Sequence, residues 1–494
     1  MTTVTPPHTG IATPLVPPSD GGTPDELLDL ACHTLSRGAP AYSAERLLVP
    51  WQRATLAVLA VVVVVSLVLA PVGTGVVLVS LATAAYGLVL VLRLLLFQRG
   101  GRGAHRVTVT DAEARAVPDH ELPTYTVLVP AFHEPLIADV VAAVEDLDYP
   151  RDRLSIRLLL EADDTETVTA ARALAPRPHL TLVEVPEALP RTKPKACNLG
   201  LLTSDGELCT IFDAEDRPDP LQLRRAVVAL DRLGPDHACV QAALGFYNSR
   251  QNLLTRWFAL DYGAWFSQLL PGLVASGAPI PLGGTSNHFR TDILREVGGW
   301  DPFNVTEDAD LGLRLDRAGY RVGILDSVTS EEANPDPINW IRQRSRWYKG
   351  YLVTALVHLR EPRLTSRQLG PRALGWLIAF VAGTPLLSAL NGVFWAMTIM
   401  WVTARSGAVA ALFPAGVYHL GLACLVLGNL AMVYVNVFTA RAMQRPDLLL
   451  PALLTPAYWV LMWVAAVKAL VQLVRDPAYW EKTTHGLHTE GGQS

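Results

Sequence analysis

Charged residues are scarce in this chain: they make up 18% of its 494 residues, whereas hydrophobic residues make up 50%. The mean hydropathy of +0.26 is high for a soluble protein and indicates membrane segments. An excess of basic residues is also missing, because the formal net charge is -5, so nucleic acid is not expected as a partner. The five cysteines form no C-x-x-C pair, which argues against a disulfide framework or a zinc site and favours a reducing compartment.

The start of the chain lacks a basic segment followed by an apolar one, and we therefore expect no cleavable signal peptide. Residues 1–24 are rich in Pro, Thr and Gly and are predicted to form a disordered tail. A short helical segment over 25–50 is expected to lead into two transmembrane helices over 51–97, since Ala54–Ala70 and Val76–Val91 carry no charge. Arginines flank this pair on both sides, which predicts a hairpin with both flanks in the cytoplasm and a multi-pass protein of the cell (plasma) membrane.

Residues 105–365 have the composition of a soluble domain, in which apolar strand-like runs alternate with amphipathic helical patterns. This alternation predicts a parallel sheet covered by helices on both faces, located on the cytoplasmic side. In such sheets ligands bind beyond the carboxyl ends of the strands, so polar clusters at strand ends are the candidates for a site.

Residues 366–480 are predicted to hold interfacial and transmembrane helices with about three spans, followed by a short tail over 481–494. The apolar stretches run over about 374–402, 413–440 and 451–474. The first is long for one span and short for two, and Thr384–Pro385 and Asn391–Gly392 interrupt it. It is interpreted as an interfacial helix leading into a span, while the number of crossings and the side of the C-terminus stay open.

Acidic side chains follow the first two strand-like runs. Glu134 follows the first run, and Glu161, Asp163 and Asp164 follow the second. Acids in these positions can be helix caps, which the helix dipole favours, or they can contact a ligand. The residues alone leave both interpretations open.

The later run "IFDAEDRPDP" delivers Asp213, Glu215 and Asp216 at its end. Carboxylates spaced one residue apart on an extended segment point the same way. They suit a hard divalent cation such as Mg²⁺ or Mn²⁺, which prefers oxygen ligands and often bridges to substrate phosphates. A capping cluster is the alternative, but adjacent acids repel one another, so a counter-ion is preferred.

Two further segments begin helix-like stretches. In "RTKPKACNLGL", Lys193 and Lys195 can hold a diphosphate as point charges, or they can belong to a solvated basic loop. In "NVTEDADLGLRL", Thr306 can cap a helix that has Glu307 and Asp308 in its first turn. This arrangement is typical of a helix N-terminus, and an Asp held there can also serve as a general base.

The segment "NWIRQRSRWYKG" crowds cations among aromatic rings shortly before the apolar C-terminal region. Its charges can be a topology signal at a membrane edge. Arg344 and Arg346 can also fork onto phosphate or stack on rings, and Trp347 offers a flat face to a sugar ring or to a membrane interface.

The order of these motifs, over about 125–350, resembles that of the processive, membrane-embedded family-2 glycosyltransferases: cellulose, chitin and hyaluronan synthases and their bacterial relatives. The D-x-D, T-E-D and Q-x-x-R-W motifs of that family correspond here to Asp213-Ala214-Glu215, Thr306-Glu307-Asp308 and Gln343-Arg344-Ser345-Arg346-Trp347. One position departs from the pattern, since Glu215 replaces the second Asp and is followed by Asp216, and either can bind the metal. The resemblance implies an α/β GT-A (nucleotide-diphospho-sugar transferase) domain inserted between transmembrane α-helices.

The resemblance also implies roles for residues. It makes Asp308, next to Glu307, the base of an inverting displacement, and it makes Asp213 and Glu215 the ligands of Mg²⁺ or Mn²⁺. Trp347 would form the floor beneath the acceptor sugar. The residues assigned to substrate and nucleotide binding are Glu134, Glu161, Asp164, Lys195, Asp213, Gln343, Arg344, Arg346 and Trp347, with Asp163 and Asp164 as alternatives to Glu161 for the uracil-side acid.

Three hypotheses for the function follow. The preferred one is a synthase that adds sugars from a UDP- or GDP-sugar to a growing polysaccharide and exports it through its membrane helices, with accessory export subunits as further partners. The alternative adds one sugar to a lipid acceptor of the bilayer, because motifs alone do not fix the acceptor. A transporter with a nucleotide-binding domain is disfavoured, because the first two predicted spans have no ionisable residue near their centres.

Overall fold

The structure of the chain is a computed structural model, which describes residues 12–101, 105–134, 137–174, 176–477, 479 and 481. Part of the predicted disordered tail (1–11) and the C-terminal tail after 481 lie outside the described residues. Residues 12–23 differ from the prediction, because Leu15 is fully buried and its N–H donates to the carbonyl of Arg295 at 2.8 Å. Burying one leucine side chain contributes about 2 kcal/mol to the stability of such a contact. The overall composition of the segment does not reveal this contribution.

An eight-stranded sheet forms the centre of the soluble domain, in the order β3-β2-β1-β4-β7-β6-β8-β5. Four pairs are parallel: β1 with β2, β1 with β4, β2 with β3, and β6 with β8. β7 runs antiparallel to β4 and β6, and β5 antiparallel to β8, so the sheet is mixed rather than wholly parallel as predicted. The strands are β1 Tyr125–Ala131, β2 Leu154–Glu161, β3 Leu180–Val185, β4 Leu208–Ile211, β5 Arg217–Pro218, β6 His237–Phe246, β7 Asn287–Arg290 and β8 Arg321–Glu331.

Helices cover both faces of this sheet. Leu128 and Leu159 belong to one buried cluster, while their strand neighbours Val127 and Leu158 belong to the other, so each face needs an apolar cover. The described helices are α1 Pro24–Gly38, α2 Pro50–Leu69, α3 Pro71–Gly100, α4 Asp111–Ala116, α5 Ile137–Glu145, α6 Thr165–Arg172, α7 Lys193–Leu202, α8 Gln222–Leu233, α9 Leu253–Ala264, α10 Leu270–Ala275, α11 Thr291–Glu296, α12 Glu307–Arg317, α13 Pro337–His358, α14 Pro362–Trp376, α15 Gly383–Ala404, α16 Gly407–Ala411, α17 Ala415–Ala423, α18 Asn429–Ala442, α19 Leu449–Leu453 and α20 Thr455–Arg475.

The path of the chain explains why β7 is reversed. β6 ends at Phe246, which lines the same cavity as Ala131 and Glu161 at the carboxyl ends of β1 and β2. The chain then passes through α9 and α10, and Gly283 and Gly284, shortly before β7, still line that cavity. A strand that starts at the carboxyl edge of the sheet must run away from it, and β7 is therefore antiparallel to its neighbours.

Within the described residues, five helices are long and apolar enough to cross a membrane, and all five lie in the regions where the sequence predicts spans. The soluble domain stands between the second and the third of them, as the predicted architecture requires. The five are Pro50–Leu69, Pro71–Gly100, Pro362–Ala404, Ala415–Ala442 and Thr455–Arg475.

The third of these helices, 43 residues long, is not interrupted where the sequence suggests a break. It continues through Thr384–Pro385 and Asn391–Gly392, with a π-helical turn at Leu377–Ala382 shortly before the proline. The break lies at Gly370, whose φ of 80° and ψ of 159° are not helical, directly before Pro371. The kink separates a short helix from the apolar helix that follows it.

The soluble domain docks on α3 through a backbone contact. A Cβ atom on Gly100 would lie 1.7 Å from the carbonyl oxygen of Gln268, and one on Gly272 would lie 2.2 Å from the carbonyl oxygen of Leu96. Only glycine permits so close an approach. On the other side of the domain α13 packs along α20, so apolar helices hold the domain at two places.

Candidate active site

One cavity, of about 920 Å³, brings together most of the residues that the sequence analysis predicts. It lies at the carboxyl ends of β1, β2 and β4, where ligands bind in α/β sheets, and residues of α12 and α13 line it as well. Asp164, Lys195 and Asp216 are instead buried behind its wall. The predicted residues in its lining are Glu134, Glu161, Asp163, Asp213, Glu215, Glu307, Asp308, Gln343, Arg344, Arg346 and Trp347.

The position of Lys195 does not fit its predicted contact with a diphosphate. The side chain is fully buried, and its Nζ donates to Glu161 Oε2 at 3.0 Å and to the carbonyl of Ala188 at 3.3 Å. Burial raises the pKa of Glu161, and the ammonium group of Lys195 opposes that shift. Lys195 therefore holds Glu161 in the cavity wall rather than facing a ligand.

Asp164 is a helix cap, which corrects its predicted place among the substrate contacts. Its carboxylate accepts the N–H of Thr167 at 3.3 Å, inside α6, and the N–H of His133 at 2.6 Å. The preceding residue, Asp163, lines the cavity and pairs with Arg191 at 2.6 Å. The acids after β2 thus divide into a cap and a cavity residue, because the turn points them in different directions.

The acidic loop after β4 divides in a similar way. Asp213 and Glu215 line the cavity, whereas Asp216 is only 2% exposed. An oxygen of Asp216 accepts the N–H of Asp213 at 2.8 Å and the hydroxyl of Thr285. Burial, and then the charges of Asp213 and Glu215, raise the pKa of Asp216 well above its usual range. Of the two acids that the sequence left open as metal ligands, Glu215 is the one that faces the cavity.

Lys193 is the lysine of α7 that reaches the cavity. Its Nζ contacts the carboxylate of Asp213 and donates to the carbonyl of Gly284 at 2.9 Å. Burial disfavours the ammonium form, but the charges of Asp213 and Glu307 and the hydrogen bond to Asp213 together outweigh it and raise the pKa of Lys193. Residues two apart on a helix point about 200° apart, so the sequence did signal that only one of Lys193 and Lys195 faces the cavity, but not which one.

The cavity has the oxygen ligands that a divalent ion requires. Asp213 and Glu215 present carboxylates to it, and Glu331 at the end of β8 lines it nearby. Across the described parts of the chain, no three His, Cys, Asp or Glu side chains meet closely enough to hold an ion by themselves. Mg²⁺ is commonly bound by one or two carboxylates together with substrate phosphates and water. The residues present therefore fit an ion that binds together with a phosphate-bearing substrate.

Glu307 and Asp308 lie in the first turn of α12 and face the cavity. Thr306 does not form the predicted cap, since its hydroxyl lies 3.3 Å from the hydroxyl of Thr354 on α13 instead of bonding a helix N–H. A Cβ atom on Gly350 would lie 2.3 Å from Thr306 Cγ2, so α13 packs tightly on this turn. The T-E-D segment is thus positioned by α13 rather than by a local capping box.

Burial raises the pKa of both acids, to about 8 for Glu307 and to about 6 for Asp308. The charge of Asp308 adds to the shift of Glu307, while Lys193 opposes both shifts. Asp308 Oδ1 also accepts the N–H of Ala309 at 2.7 Å. A carboxylate whose pKa lies near neutrality is suited to accept a proton from a hydroxyl group.

Arg344 lines the cavity, but neighbouring side chains engage its guanidinium, which does not fit its predicted contact with a diphosphate. Its guanidinium donates to Asp261 at 2.7 Å and to the hydroxyl of Tyr458 at 3.3 Å. It also stacks 4.8 Å from the ring of Trp347 and 5.2 Å from that of Trp340. Arg344 therefore positions the tryptophan of the Q-x-x-R-W motif.

Gln343, Arg346 and Trp347 of this motif also line the cavity. Gln343 Oε1 is buried and finds no hydrogen-bond partner among the described residues. Burial lowers the pKa of Arg346, and the nearby carboxylates of Glu307 and Asp213 oppose that shift. The Trp347 ring packs 6.1 Å from the Phe258 ring and leaves one side in the cavity. This wall can donate charged hydrogen bonds and offers a flat apolar surface.

Glu481, just beyond α20, was missed by the sequence analysis. Its carboxylate accepts from Lys468 at 2.6 Å and Gln472 at 2.9 Å on α20, and from Ser345 at 3.4 Å on α13. Its carbonyl accepts from Arg346 at 3.2 Å. The sequence gives no local signal for this contact, since Glu481 lies more than a hundred residues from the motif that it supports.

A model described as glycosyl transferase family group 2 matches residues 208–469, just over half of the chain. The chain is a member of this family. This glycosyltransferase has the predicted GT-A fold between apolar helices, although its sheet is mixed.

Three relatives that match this chain carry different names. The glycosyltransferase is 27% identical over 248 residues to the probable glycosyltransferase YdaM of Bacillus subtilis (49% of this chain, 58% of the relative). It is 29% identical over 240 residues to glucomannan 4-beta-mannosyltransferase 1 of Oryza sativa (46% and 45%). It is 26% identical over 379 residues to beta-monoglucosyldiacylglycerol synthase of Synechocystis (72% and 74%). The chain thus spans less than two thirds of the length of the first two relatives.

A solved structure supports the fold. The mannosyltransferase PcManGT of Pyrobaculum calidifontis, in complex with GDP-Man and Mn²⁺, superposes with a TM-score of 0.51 at 20% identity. The match covers 81% of this glycosyltransferase and 99% of that chain. At this identity the likeness shows the fold alone.

Proposed function

We propose that this glycosyltransferase moves a sugar from a nucleotide-diphospho-sugar to a hydroxyl acceptor with inversion at C1. The observation that carries the proposal is the single cavity in which Asp308 faces the acid pair Asp213 and Glu215. The acceptor oxygen bonds to C1 as the bond from C1 to the diphosphate oxygen breaks. The hydroxyl proton passes to Asp308, and the nucleoside diphosphate leaves.

The acids after β4 hold the metal in this proposal. Asp213 and Glu215 would bind Mg²⁺ or Mn²⁺ together with the diphosphate of a UDP- or GDP-sugar, and the GDP-Man and Mn²⁺ of the similar PcManGT structure support that choice. When bound, such an ion supplies Lewis-acid stabilisation of the leaving group. Lys193 and Arg346 add positive charge beside the same acids.

The cavity wall formed by α13 receives the acceptor. Trp347 offers its ring face to the acceptor sugar, and Gln343 offers an unpartnered carbonyl oxygen to a hydroxyl. Arg344 keeps Trp347 in place through stacking and through Asp261. Only a fixed acceptor hydroxyl near Asp308 reacts efficiently, because orientation removes much of the entropic barrier.

The first candidate for the acceptor is a growing polysaccharide that leaves through the membrane helices. The similarity to a glucomannan 4-beta-mannosyltransferase supports this choice. The enzyme would then be a processive synthase in the plasma membrane, with its catalytic domain in the cytoplasm and with accessory export subunits as partners.

The second candidate is a lipid, so that the product is a glycolipid. The longest of the three alignments described above supports it, because beta-monoglucosyldiacylglycerol synthase is similar over 72% of this chain. Product sizing separates the two candidates: a ladder of oligosaccharides supports the polymer, and a lipid with one added sugar supports the glycolipid.

Asp308→Asn in the purified full chain tests the chemistry. With UDP-glucose, UDP-N-acetylglucosamine and GDP-mannose, and with Mg²⁺ or Mn²⁺, we expect the variant to bind nucleotide as the parent does and to lose sugar transfer by about 100-fold or more. Asp231→Asn, an exposed substitution on α8, is the matched control. Transfer by Asp308→Asn at the parent rate would refute the proposal.

A further inference from the structure

Two further cavities lead from the active site into the apolar helices. The first, of about 170 Å³, adjoins the active-site cavity because Arg93, Asp261, Thr384 and Ser388 line both. The second, of about 390 Å³, adjoins the first, with Asn391 among the residues that they share. The three cavities therefore follow one another from Trp347 to the space between α3, α15 and α17.

The lining changes from polar to apolar along this path. Beside the active site, the Ser388 hydroxyl lies 3.3 Å from the Tyr348 hydroxyl, and Thr384 and Asp261 line the same cavity as Ser388. In the far cavity, Thr398 donates to the carbonyl of Phe394 at 2.8 Å and so satisfies its own helix. The amide nitrogen of Asn429 similarly donates to a carbonyl of its own helix. The apolar side chains of the far cavity include Phe394, Met397, Trp401, Phe413 and Leu425.

Arg93 stands where the polar and apolar parts of the path meet. It belongs to α3, near the end that leads into the soluble domain, and its guanidinium donates to Thr384 Oγ1 at 3.1 Å. No carboxylate of the described residues lies within ion-pair distance of it. A cation in an apolar helix is costly unless it has a partner or a function, and arginine has five N–H groups to donate.

We propose that the acceptor is a lipid and that it binds in the two cavities between the apolar helices. This inference rests on the proposed glycosyl transfer and names the class of its acceptor. The acyl chains lie in the far cavity, and the headgroup oxygens accept hydrogen bonds from Arg93. The headgroup hydroxyl then reaches the active-site cavity beside Trp347, where it loses its proton to Asp308 as described. In the far cavity a sugar polymer would find few hydrogen-bond partners, such as Thr83 and Asn391, and burying its other hydroxyls costs more than burying acyl chains.

Two glycines on α17 provide a test with a matched control. A Cβ atom on Gly421 would meet Thr83 at 3.8 Å and Phe413 at 3.9 Å, both in the wall of the far cavity, so Gly421→Leu fills part of that cavity without an initial clash. A Cβ atom on Gly416 of the same helix meets nothing within 4 Å, and this residue lies outside the three cavities. Gly416→Leu therefore adds the same side chain without changing the path.

The assay uses the full chain in phosphatidylglycerol vesicles that contain diacylglycerol, with the donor panel described above. We expect Gly421→Leu to lower formation of the glycosylated lipid at least ten-fold, while Gly416→Leu stays within two-fold of the parent and both variants bind nucleotide normally. Diacylglycerol with a photoreactive acyl end should label peptides of α15 and α17 in the parent. This labelling should be lost in Gly421→Leu.

The outcomes separate this inference from the proposed function. A polymer made at the parent rate by Gly421→Leu, without acyl labelling of α15 or α17, would overturn the lipid site while leaving the glycosyl transfer intact. Absence of sugar transfer from every donor to lipid, disaccharide and polymer acceptors would instead overturn the proposed function itself. If Gly421→Leu is unstable, the labelling pattern of the parent decides alone.

Discussion

The two walls of the active-site cavity are built in different ways. One wall consists of acids that follow strands of the sheet, such as Asp213 after β4. These strands are buried on both faces. The opposite wall is one helix, α13, and its motif residues are held by distant groups such as Asp261, Tyr458 and Glu481. The first wall is therefore fixed by the sheet, whereas the second is fixed by α9 and by the apolar C-terminal helices.

This difference leads us to expect that the two walls bind different parts of the substrates. A rigid acid cluster suits a metal and a diphosphate, because their charges must be met in one geometry. A helix such as α13, which packs on apolar helices, can shift when a molecule binds between those helices. Substitutions in the sheet wall should therefore affect donor chemistry, and substitutions of Arg344 and Trp347 in the α13 wall should affect the acceptor.

The largest effect is expected in the sheet wall. Asp213→Asn removes one of the two proposed metal ligands and should lower turnover by about 100-fold or more, with a higher Mn²⁺ concentration needed for half-maximal rate. Chelation of the metal should stop the parent enzyme as well, and added Mn²⁺ or Mg²⁺ should restore it. Initial rates over a metal titration measure both effects, and an unchanged metal dependence in the variant would contradict the assignment.

A smaller effect is expected in the α13 wall. Arg344→Lys removes the fork toward Asp261 and Tyr458 and weakens the stacking on Trp347, which together amount to about 2 kcal/mol. We expect the acceptor KM to rise by about ten-fold or more with little change in the donor KM. Arg363→Lys, at an exposed arginine of α14, is the matched control. A donor-specific defect would show that Arg344 contacts the diphosphate after all.

A pH titration of the transfer rate should test Asp308 as the base. Burial raises the pKa of Asp308 to about 6, and the base must be ionised to accept a proton, so the rate should fall as the pH drops through that value. At pH 5 about one tenth of this group stays ionised, which predicts about a ten-fold loss. Arg344 and Arg346 keep their charge over this range. A rate that is flat between pH 5 and pH 8 would argue against Asp308 as the base.

The smallest effect is expected from the tether at the end of α20. Glu481→Gln keeps the hydrogen-bonding shape but loses the ion pair with Lys468, and we expect turnover to fall about five-fold through the position of Arg346. A positioning role predicts a change in kcat with an unchanged metal dependence. If Glu481→Gln and Lys468→Gln lower the Tm by the same amount and the activity by the same amount, then Glu481 contributes to stability and not to the position of Arg346.

Sequence reasoning reached the sheet wall more easily than the α13 wall. A buried apolar strand followed by acids is a local pattern, and it indicated Asp213 and Glu215 at the strand end, where both line the cavity. It did not separate Asp163 from Asp164, because the turn after β2 decides which carboxylate caps α6. The same holds for Lys193 and Lys195, since the docking of α7 against the sheet decides which lysine faces the cavity.

The remaining differences depend on contacts that are distant in the chain. The reversal of β7 follows from the path through α9 and α10, and the role of Arg344 follows from Asp261 on α9 and Tyr458 on α20. These two features have no short-range pattern that a single sequence displays. The break at Gly370 differs from them, because Gly370 stands directly before Pro371 and a Gly-Pro pair is a local break signal that the sequence analysis did not use.

The contact between Gly100 and Gly272 has a consequence for the working enzyme. Because backbone touches backbone there, no flexible side chain can absorb a displacement of α3 relative to the catalytic domain. An apolar helix adjusts its tilt when the surrounding bilayer becomes thinner or thicker. We therefore expect a tilt of α3 to move α10 and the catalytic domain with it, so that the orientation of this domain should change with the thickness of the bilayer.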